Sequence, residues 1–384
     1  MQSLAVELVE LIASFLNKDS LLQLRLSCRA LQKKTFHHFA RRCFASVKTD
    51  LSEESLGRLD ALSQHQALRP YVQGLGFALQ NEVGHGLVWD RHPWGPLAAP
   101  MEVAAIRRLR DNLIYNLPNC RSFFILCRFP EGHPDMTRVT MTDAMAVFFA
   151  LVVDGSLPVS SFHLIYANQY SRTLVMDMRR IPKLLYRQPK FQVAWSHLQK
   201  LSLEQYLTLD NFGFLLELVL SAPNLRTLCL NLGSHDLACG FMHELAEMAS
   251  FVHLQELAIF RTSIRASDLQ RLLQRVSGTL ASFTLYHVCL APGDNWAPIL
   301  ASLRNGFKAL QSISFYYLWI TALTKELVTF PDLQKQSLLC KVLGQRLQIF
   351  YSEDLKTPSV LGIEYSGEKM SEVLSVLPIS LAGT

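Results

Sequence analysis

Eight times along this chain an apolar residue is followed by two unconstrained positions, a second apolar residue, one more free position and a third apolar residue. The clearest copies are Leu198-Leu201-Leu203, Leu225-Leu228-Leu230, Leu254-Leu257-Ile259, Leu280-Phe283-Leu285 and Leu310-Ile313-Phe315. Weaker ones precede them at Val72-Leu75-Phe77, Cys120-Phe123-Ile125 and Val159-Phe162-Leu164. Two copies share even their lead-in, Pro118-Asn119-Cys120-Arg121-Ser122-Phe123 and Pro223-Asn224-Leu225-Arg226-Thr227-Leu228. The last two apolar positions of each copy stand two residues apart, so they share one face of a strand. Helical periodicity occupies the intervals: Met101 to Asn116, Asp143 to Val153, Asn211 to Leu220, Ser267 to Val276 and Asn295 to Leu303. Strand and helix alternating in this way predict an α/β class with parallel strands, each unit stacking on the next to share one core.

The pattern resembles the strand signature of leucine-rich repeats. That resemblance implies a curved solenoid, with parallel strands on the concave side and helices outside. The central positions are separated by 48, 39 and 39 residues, then 27, 29, 26 and 30. Only the later spacings approach the ~20–29 residues of standard repeats, so residues 70–320 are expected to form a repeat domain with insertions in its first half. Residues 321–384 are expected to cover its last repeat, with extra strands at Arg346 to Tyr351 and Val360 to Tyr365 around Pro358. Ser267 with Gln270 reads as a capping box, and Gly278 as a helix stop.

In such a strand the apolar positions belong to the core, and recognition falls on the alternating positions and the inserted loops. Those positions are Ser202 and Glu204, Thr227 and Cys229, Ala258 and Phe260, Thr284 and Tyr286, Ser314 and Tyr316. Glu204, Phe260, Tyr286 and Tyr316 are the candidates for binding a target. The loop from Asn81 to Pro100 adds Trp89 and Trp94, which either pin the loop to the repeats or wait for a partner.

The first 47 residues follow a different rule. Leu4, Leu8, Leu11, Ile12 and Phe15-Leu16 share one helical face, with Glu7 and Glu10 off it. Asn17-Lys18-Asp19-Ser20 supplies a turn and an N-cap, Leu21 to Leu26 opens a second helix, and a third is expected after Cys28-Arg29 through Leu31 to Phe39. A module of ~40 residues buries too little to stand alone without a metal, a disulfide or a partner. The spare leucines therefore point to a partner.

This segment resembles an F-box, the adaptor-binding module of Skp–cullin–F-box ubiquitin ligases, through Leu4-Ala5-Val6-Glu7-Leu8, Ile12, the Leu-rich run and Leu26-Ser27-Cys28-Arg29. By that resemblance, Leu4, Ala5, Leu8, Ile12, Leu16, Leu21, Leu24 and Cys28 are the adaptor-binding positions. Ala5 stands where the family usually has proline, and forfeits the fixed φ that favours a first helical turn. Residues 48–69 read as a helical linker. An F-box ahead of irregular leucine-rich repeats is similar to the F-box proteins abundant in filamentous fungi. It implies a non-catalytic, substrate-recognition subunit that binds a Skp-type adaptor, through it a cullin, and an unknown target protein. The alternative is an interaction scaffold that binds the adaptor without cullin.

Composition narrows what else the chain could do. Hydrophobic residues make up 49% and charged residues 18%, which leaves ample material for a core. The net charge of +5 arises from 37 basic against 32 acidic residues, without the concentrated basic face that nucleic acid requires. The local cluster Arg25, Arg29, Lys33, Lys34, Arg41 and Arg42 reads as a solvated or partner-facing side of short helices. Eight cysteines at 28, 43, 120, 127, 229, 239, 289 and 340 form no Cys-x-x-Cys pair, which fits neither a zinc cage nor a disulfide framework. Cytosol or nucleus is the expected compartment.

Glu7 and Glu10 interrupt the N-terminal apolar run, which speaks against a cleaved signal, and the run Met145 to Val153 is far short of a membrane span. No nucleophile elbow, phosphate-binding glycine loop, His-Glu-x-x-His helix or dinucleotide fingerprint occurs. Cys127 with His133, and His85 with His92, lack further ligands or an orienting third group. Neither an enzymatic activity nor a cofactor is expected.

Overall fold

The computed structural model describes residues 4–78, 82–93, 95–127, 138–166, 176–233, 236–320, 327–330, 347–351 and 360–377. Two compact units divide the chain, Met1–Val159 with Arg179–Ala194, and Ser160–Met178 with Trp195–Thr384. Both are mixed α/β.

The first unit opens with α1 (Val6–Phe15), α2 (Lys18–Ser27), α3 (Arg29–Lys34) and α4 (Phe36–Phe44). Four helices thus replace the three expected. The third breaks at Thr35, which is fully buried and sends its hydroxyl back to the Leu31 carbonyl at 2.7 Å. A hydroxyl bonded one turn back lets the chain leave the helix and restart it. Arg25 holds the halves together: it donates to the Gln32 carbonyl at 2.8 Å and lies 3.8 Å from the Phe39 ring centre. One member of the basic cluster is thereby spent inside the module.

Alternation of strand and helix starts ahead of residue 70. Strand β1 (Ser46–Thr49) is followed by α5 (Glu53–Gln64), so the stretch read as a linker holds the end of a strand and a helix. Next come β2 (Gly74–Ala78), α6 (Ala104–Asp111) continued by a π-turn (Asn112–Asn116), β3 (Ser122–Cys127) and α7 (Met141–Gly155). The short helices α8 (Lys183–Arg187) and α9 (Pro189–Trp195) follow. β1, β2 and β3 are parallel, with Val47, Leu75 and Phe123 in register.

Helix α7 is apolar all round, and every residue from Met141 to Val153 is buried, as such a helix requires. Phe148 packs against Phe77 and Phe123 of the strands, ring centres 5.9 and 5.0 Å away. Its first turn is closed by Thr140 and Asp143 in a reciprocal capping box. The same Asp143, fully buried, receives two nitrogens of Arg91 at 2.8 and 2.7 Å and one of Arg180 at 2.7 Å. A buried carboxylate is tolerable only with such partners. The pairing fixes the inserted loop around Arg91 to α7.

The second unit contains β4 (Ser161–Tyr166), β5 (Lys200–Gln205), β6 (Thr227–Gly233), β7 (Glu256–Ile264), β8 (Ser282–Tyr286), the two-residue β9 (Cys289–Leu290) and β10 (Ser312–Tyr316). Strands β4, β5, β6, β7, β8 and β10 run parallel in that order. Their central residues Phe162, Leu201, Leu228, Leu257, Phe283 and Ile313 are aligned, and all are buried. Helices α10 (Leu209–Leu220), α11 (Asp236–Met248), α12 (Ala266–Val276) and α13 (Ala297–Gly306) fall in the intervals. The end of the sheet turns antiparallel: β12 (Val360–Ser366) pairs with β10, and β11 (Leu347–Tyr351) with β12. A last helix, α14 (Met370–Val376), follows.

A single backbone motif recurs in both units. The carbonyl just ahead of a strand accepts two consecutive amides at the start of the next strand: Ala45 takes Gln73 and Gly74, and Gln73 takes Arg121 and Ser122. In the second unit Ser160 takes Gln199 and Lys200, Gln199 takes Arg226 and Thr227, Arg226 takes Gln255 and Glu256, and Gln255 takes Ala281 and Ser282. Ala45, just ahead of β1, belongs to the same series.

Helix α12 corrects one detail. It starts at Ala266 after Arg265, with no side-chain cap, so Ser267 and Gln270 form no capping box. Asp294 instead accepts the Ala266 amide at 2.7 Å, a cap delivered from the following loop.

Candidate functional site

Helix α1 turns its apolar face away from the module. Val9 and Ala13 are 1% exposed and face inward, whereas Leu8 is 49%, Leu11 55%, Ile12 39% and Phe15 82% exposed. Residues at 8, 11, 12 and 15 follow the i, i+3, i+4, i+7 rule and form one stripe. On α2, Leu26 is exposed as well, at 79%. Leaving this much large apolar side chain in water is unfavourable, and contiguous apolar surface of this kind marks interaction sites.

The expected adaptor positions divide accordingly. Leu8 and Ile12 lie on the stripe, and Ala5 is the exposed N-cap of α1, where it makes no side-chain bond. Leu4 and Leu16 are half-buried at the ends of the helix, and the Leu4 carbonyl accepts the Lys34 ammonium at 2.5 Å. Leu24 is half-buried too. Leu21 is wholly buried and belongs to the module's core, so it has no surface to offer a partner. Cys28 caps α3, its Sγ accepting the Leu31 amide at 3.4 Å. Leu11 and Phe15, recognised as sharing the face, and Leu26 were missing from the expected set; each is more exposed than Ile12.

The strand positions of the second unit form a second surface. Glu204, Asn231, Phe260, Tyr286 and Tyr316 are consecutive partners across β5, β6, β7, β8 and β10, and all are partly exposed. Alternation makes this inevitable, since their neighbours Leu203, Leu230, Ile259, Leu285 and Phe315 point into the core. Ring centres stand 6.0 Å apart from Phe260 to Tyr286, 6.0 Å from Tyr286 to Tyr316, and 4.5 Å from Tyr316 to Phe350 of β11. Gly362, opposite Tyr316, makes room for that last contact: a Cβ there would lie 2.9 Å from Tyr316 Cδ1.

Three residues directly after the row, Arg261, His287 and Tyr317, have left-handed backbones with φ of 46°, 54° and 51°. Non-glycine residues rarely adopt this conformation. His287 stacks on Tyr317 with centres 4.6 Å apart and planes 14° from parallel. Burial, aided by the charge of Arg261, lowers the His287 pKa below the ordinary histidine value. Burial raises the Tyr316 phenol, and the bond its hydroxyl donates to Glu364 Oε2 raises it further. Tyr316 therefore stays a neutral donor across the physiological range.

Of the two loop tryptophans, Trp89 donates its indole N–H to the Gly84 carbonyl at 3.0 Å, a bond inside its own loop. Gly84 has φ 73°, and a Cβ on it would meet the indole nitrogen at 2.6 Å. Trp94 and His133 lie outside the described residues. Among the described residues no group of three or more His, Cys, Asp or Glu is placed to hold a metal, and no helix is long and apolar enough to cross a membrane. No family model matches the sequence, and no curated protein matches it.

Proposed function

We propose that this chain is a substrate-recognition subunit of a Skp–cullin–F-box ubiquitin ligase. The helices α1 to α4 act as the F-box and bind the adaptor, and the second unit captures the target through its partly exposed strand face. On this reading the strand and helix units are irregular leucine-rich repeats of a curved solenoid. The protein carries out no bond chemistry; it raises the effective concentration of target lysines near a charged conjugating enzyme.

The observation that carries the reading is the outward stripe Leu8, Leu11, Ile12 and Phe15. Fully covering one exposed leucine-sized side chain is worth ~1.5–3 kcal/mol, so a partner that covers all four gains a substantial apolar contribution. The test is affinity capture of the full chain followed by mass spectrometry, for the wild type and for Leu8→Asp with Phe15→Asp. Adaptor and cullin recovered with the wild type and lost with the variant support the role. Capture of neither by the folded wild type refutes it, and adaptor without cullin refutes the ligase function.

A further inference from the structure

The aromatic row of the second unit is bounded by acid. Glu204 stands at its β5 end, in register with Asn231 and Phe260. At the other end Glu364 is paired with Ser314 and Gln348, and its Oε2 accepts the Tyr316 hydroxyl. Between them Phe260, Tyr286, Tyr316 and Phe350 are spaced at 6.0, 6.0 and 4.5 Å. The ring faces carry partial negative charge, so rings and carboxylates present one sign. Arg261 sits one residue beyond Phe260, on the adjoining line with His287 and Tyr317, and its charge is felt at His287.

We infer that this row binds a basic segment of the target protein, with arginine side chains laid on Tyr286 and Tyr316 and paired with Glu364. The inference rests on the second unit being the capturing half. Arginine fits best because its planar guanidinium both stacks on a ring and bonds a carboxylate with a fixed fork of donors. Stacked nucleobases, which also use aromatic platforms, need a basic groove for their phosphates; on these strands the carboxylates Glu204, Glu256 and Glu364 outnumber the cations Lys200 and Arg261.

Fluorescence anisotropy of short labelled peptides with the full chain tests this directly. The probes are an alternating Arg–Gly peptide, its Lys–Gly and Glu–Gly counterparts, and single-stranded oligothymidine, all at ~0.1 M salt so that distant charges are screened. Arg–Gly is expected to bind at least about tenfold tighter than Glu–Gly or oligothymidine, with Lys–Gly between. Tyr286→Leu should weaken Arg–Gly about fivefold or more while Tyr286→Phe retains it, as a ring-face contact requires. Glu364→Gln should weaken it as well, and carries the test if Tyr286→Leu does not fold. Equal or tighter binding of Glu–Gly or oligothymidine, no binding of Arg–Gly, or unchanged affinity in folded Tyr286→Leu and Glu364→Gln would overturn the inference. Adaptor capture, read in parallel, separates the two ideas: peptide binding lost with the adaptor retained removes only the arginine site, and the converse removes only the adaptor role.

Discussion

The ring of Tyr316 lies over Gly362 of the neighbouring antiparallel strand, so close that a Cβ on the glycine would come within 2.9 Å of Tyr316 Cδ1 and 2.7 Å of the Phe315 carbonyl oxygen. The same device occurs in the first unit, where the Phe124 ring covers Gly76 and reaches to within 6.0 Å of the Lys48 ammonium. In both places a missing side chain on one strand is filled by an aromatic from the next.

Gly362→Ala should therefore displace Tyr316 and break its contact with Phe350. Forcing atoms into a filled site costs typically ~1–3 kcal/mol. The expected result is a lower urea midpoint with a reduced near-ultraviolet tyrosine signal. An unchanged signal would mean that the ring has another seat.

Asp143 offers a test of the first unit. Asp143→Asn keeps the shape but leaves Arg91 and Arg180 around an uncharged amide in a buried place. Removing one partner of a buried pair costs ~3–5 kcal/mol. Hydrogen exchange should accelerate in α7 and in the loop around Arg91 before it does elsewhere.

Two histidines set an acid limit on stability. His163 is lowered by burial and by Lys200, and His287 by burial and by Arg261. A histidine depressed in the fold binds its proton more readily when unfolded, so between the folded and unfolded pKa values stability rises with pH. Their contribution is complete above the unfolded value, near ~6.5, and is lost as pH falls through the folded values. Urea midpoints measured from pH 7.5 down to pH 5 should fall, and His163→Asn with His287→Asn should flatten that decline.

Much of the fold was legible because alternation has one physical meaning. All eight apolar triplets end in described strands, and the two strands expected near the C-terminus are β11 and β12. β1 escaped because Ser46-Val47-Lys48-Thr49 carries a single large apolar residue, and the Ala45 carbonyl that joins it to the series is backbone, invisible in side-chain identity. Periodicity grouped Leu8, Leu11, Ile12 and Phe15 on one face, but a helix on a small module can turn either face inward. Its inward side is instead the smaller Val9 and Ala13. The burial of Leu21 and the cap made by Cys28 were hidden for a related reason: a leucine in a core and one at an interface have the same chemistry, and a cysteine capping a helix leaves no spacing to read. The left-handed Arg261, His287 and Tyr317 had no glycine to announce them.

The orientation of α1 can be checked without any partner. Phe15→Asp, at an exposed position, should change the melting behaviour by no more than ~0.5 kcal/mol. Val9→Asp buries a carboxylate without a partner and should unfold the helical module. Equal effects of the two substitutions on helical circular dichroism would mean that α1 packs the other way round.

The most direct measurement for the whole account is calorimetric titration of a purified Skp-type adaptor into the full chain and into Leu8→Asp with Phe15→Asp. The wild type should bind with one adaptor per chain, and the variant, still folded by circular dichroism, should bind at least about a hundredfold more weakly, since two large apolar contacts are removed. No heat of binding from the folded wild type, or an affinity untouched by the two aspartates, would contradict the assignment of α1 to the adaptor.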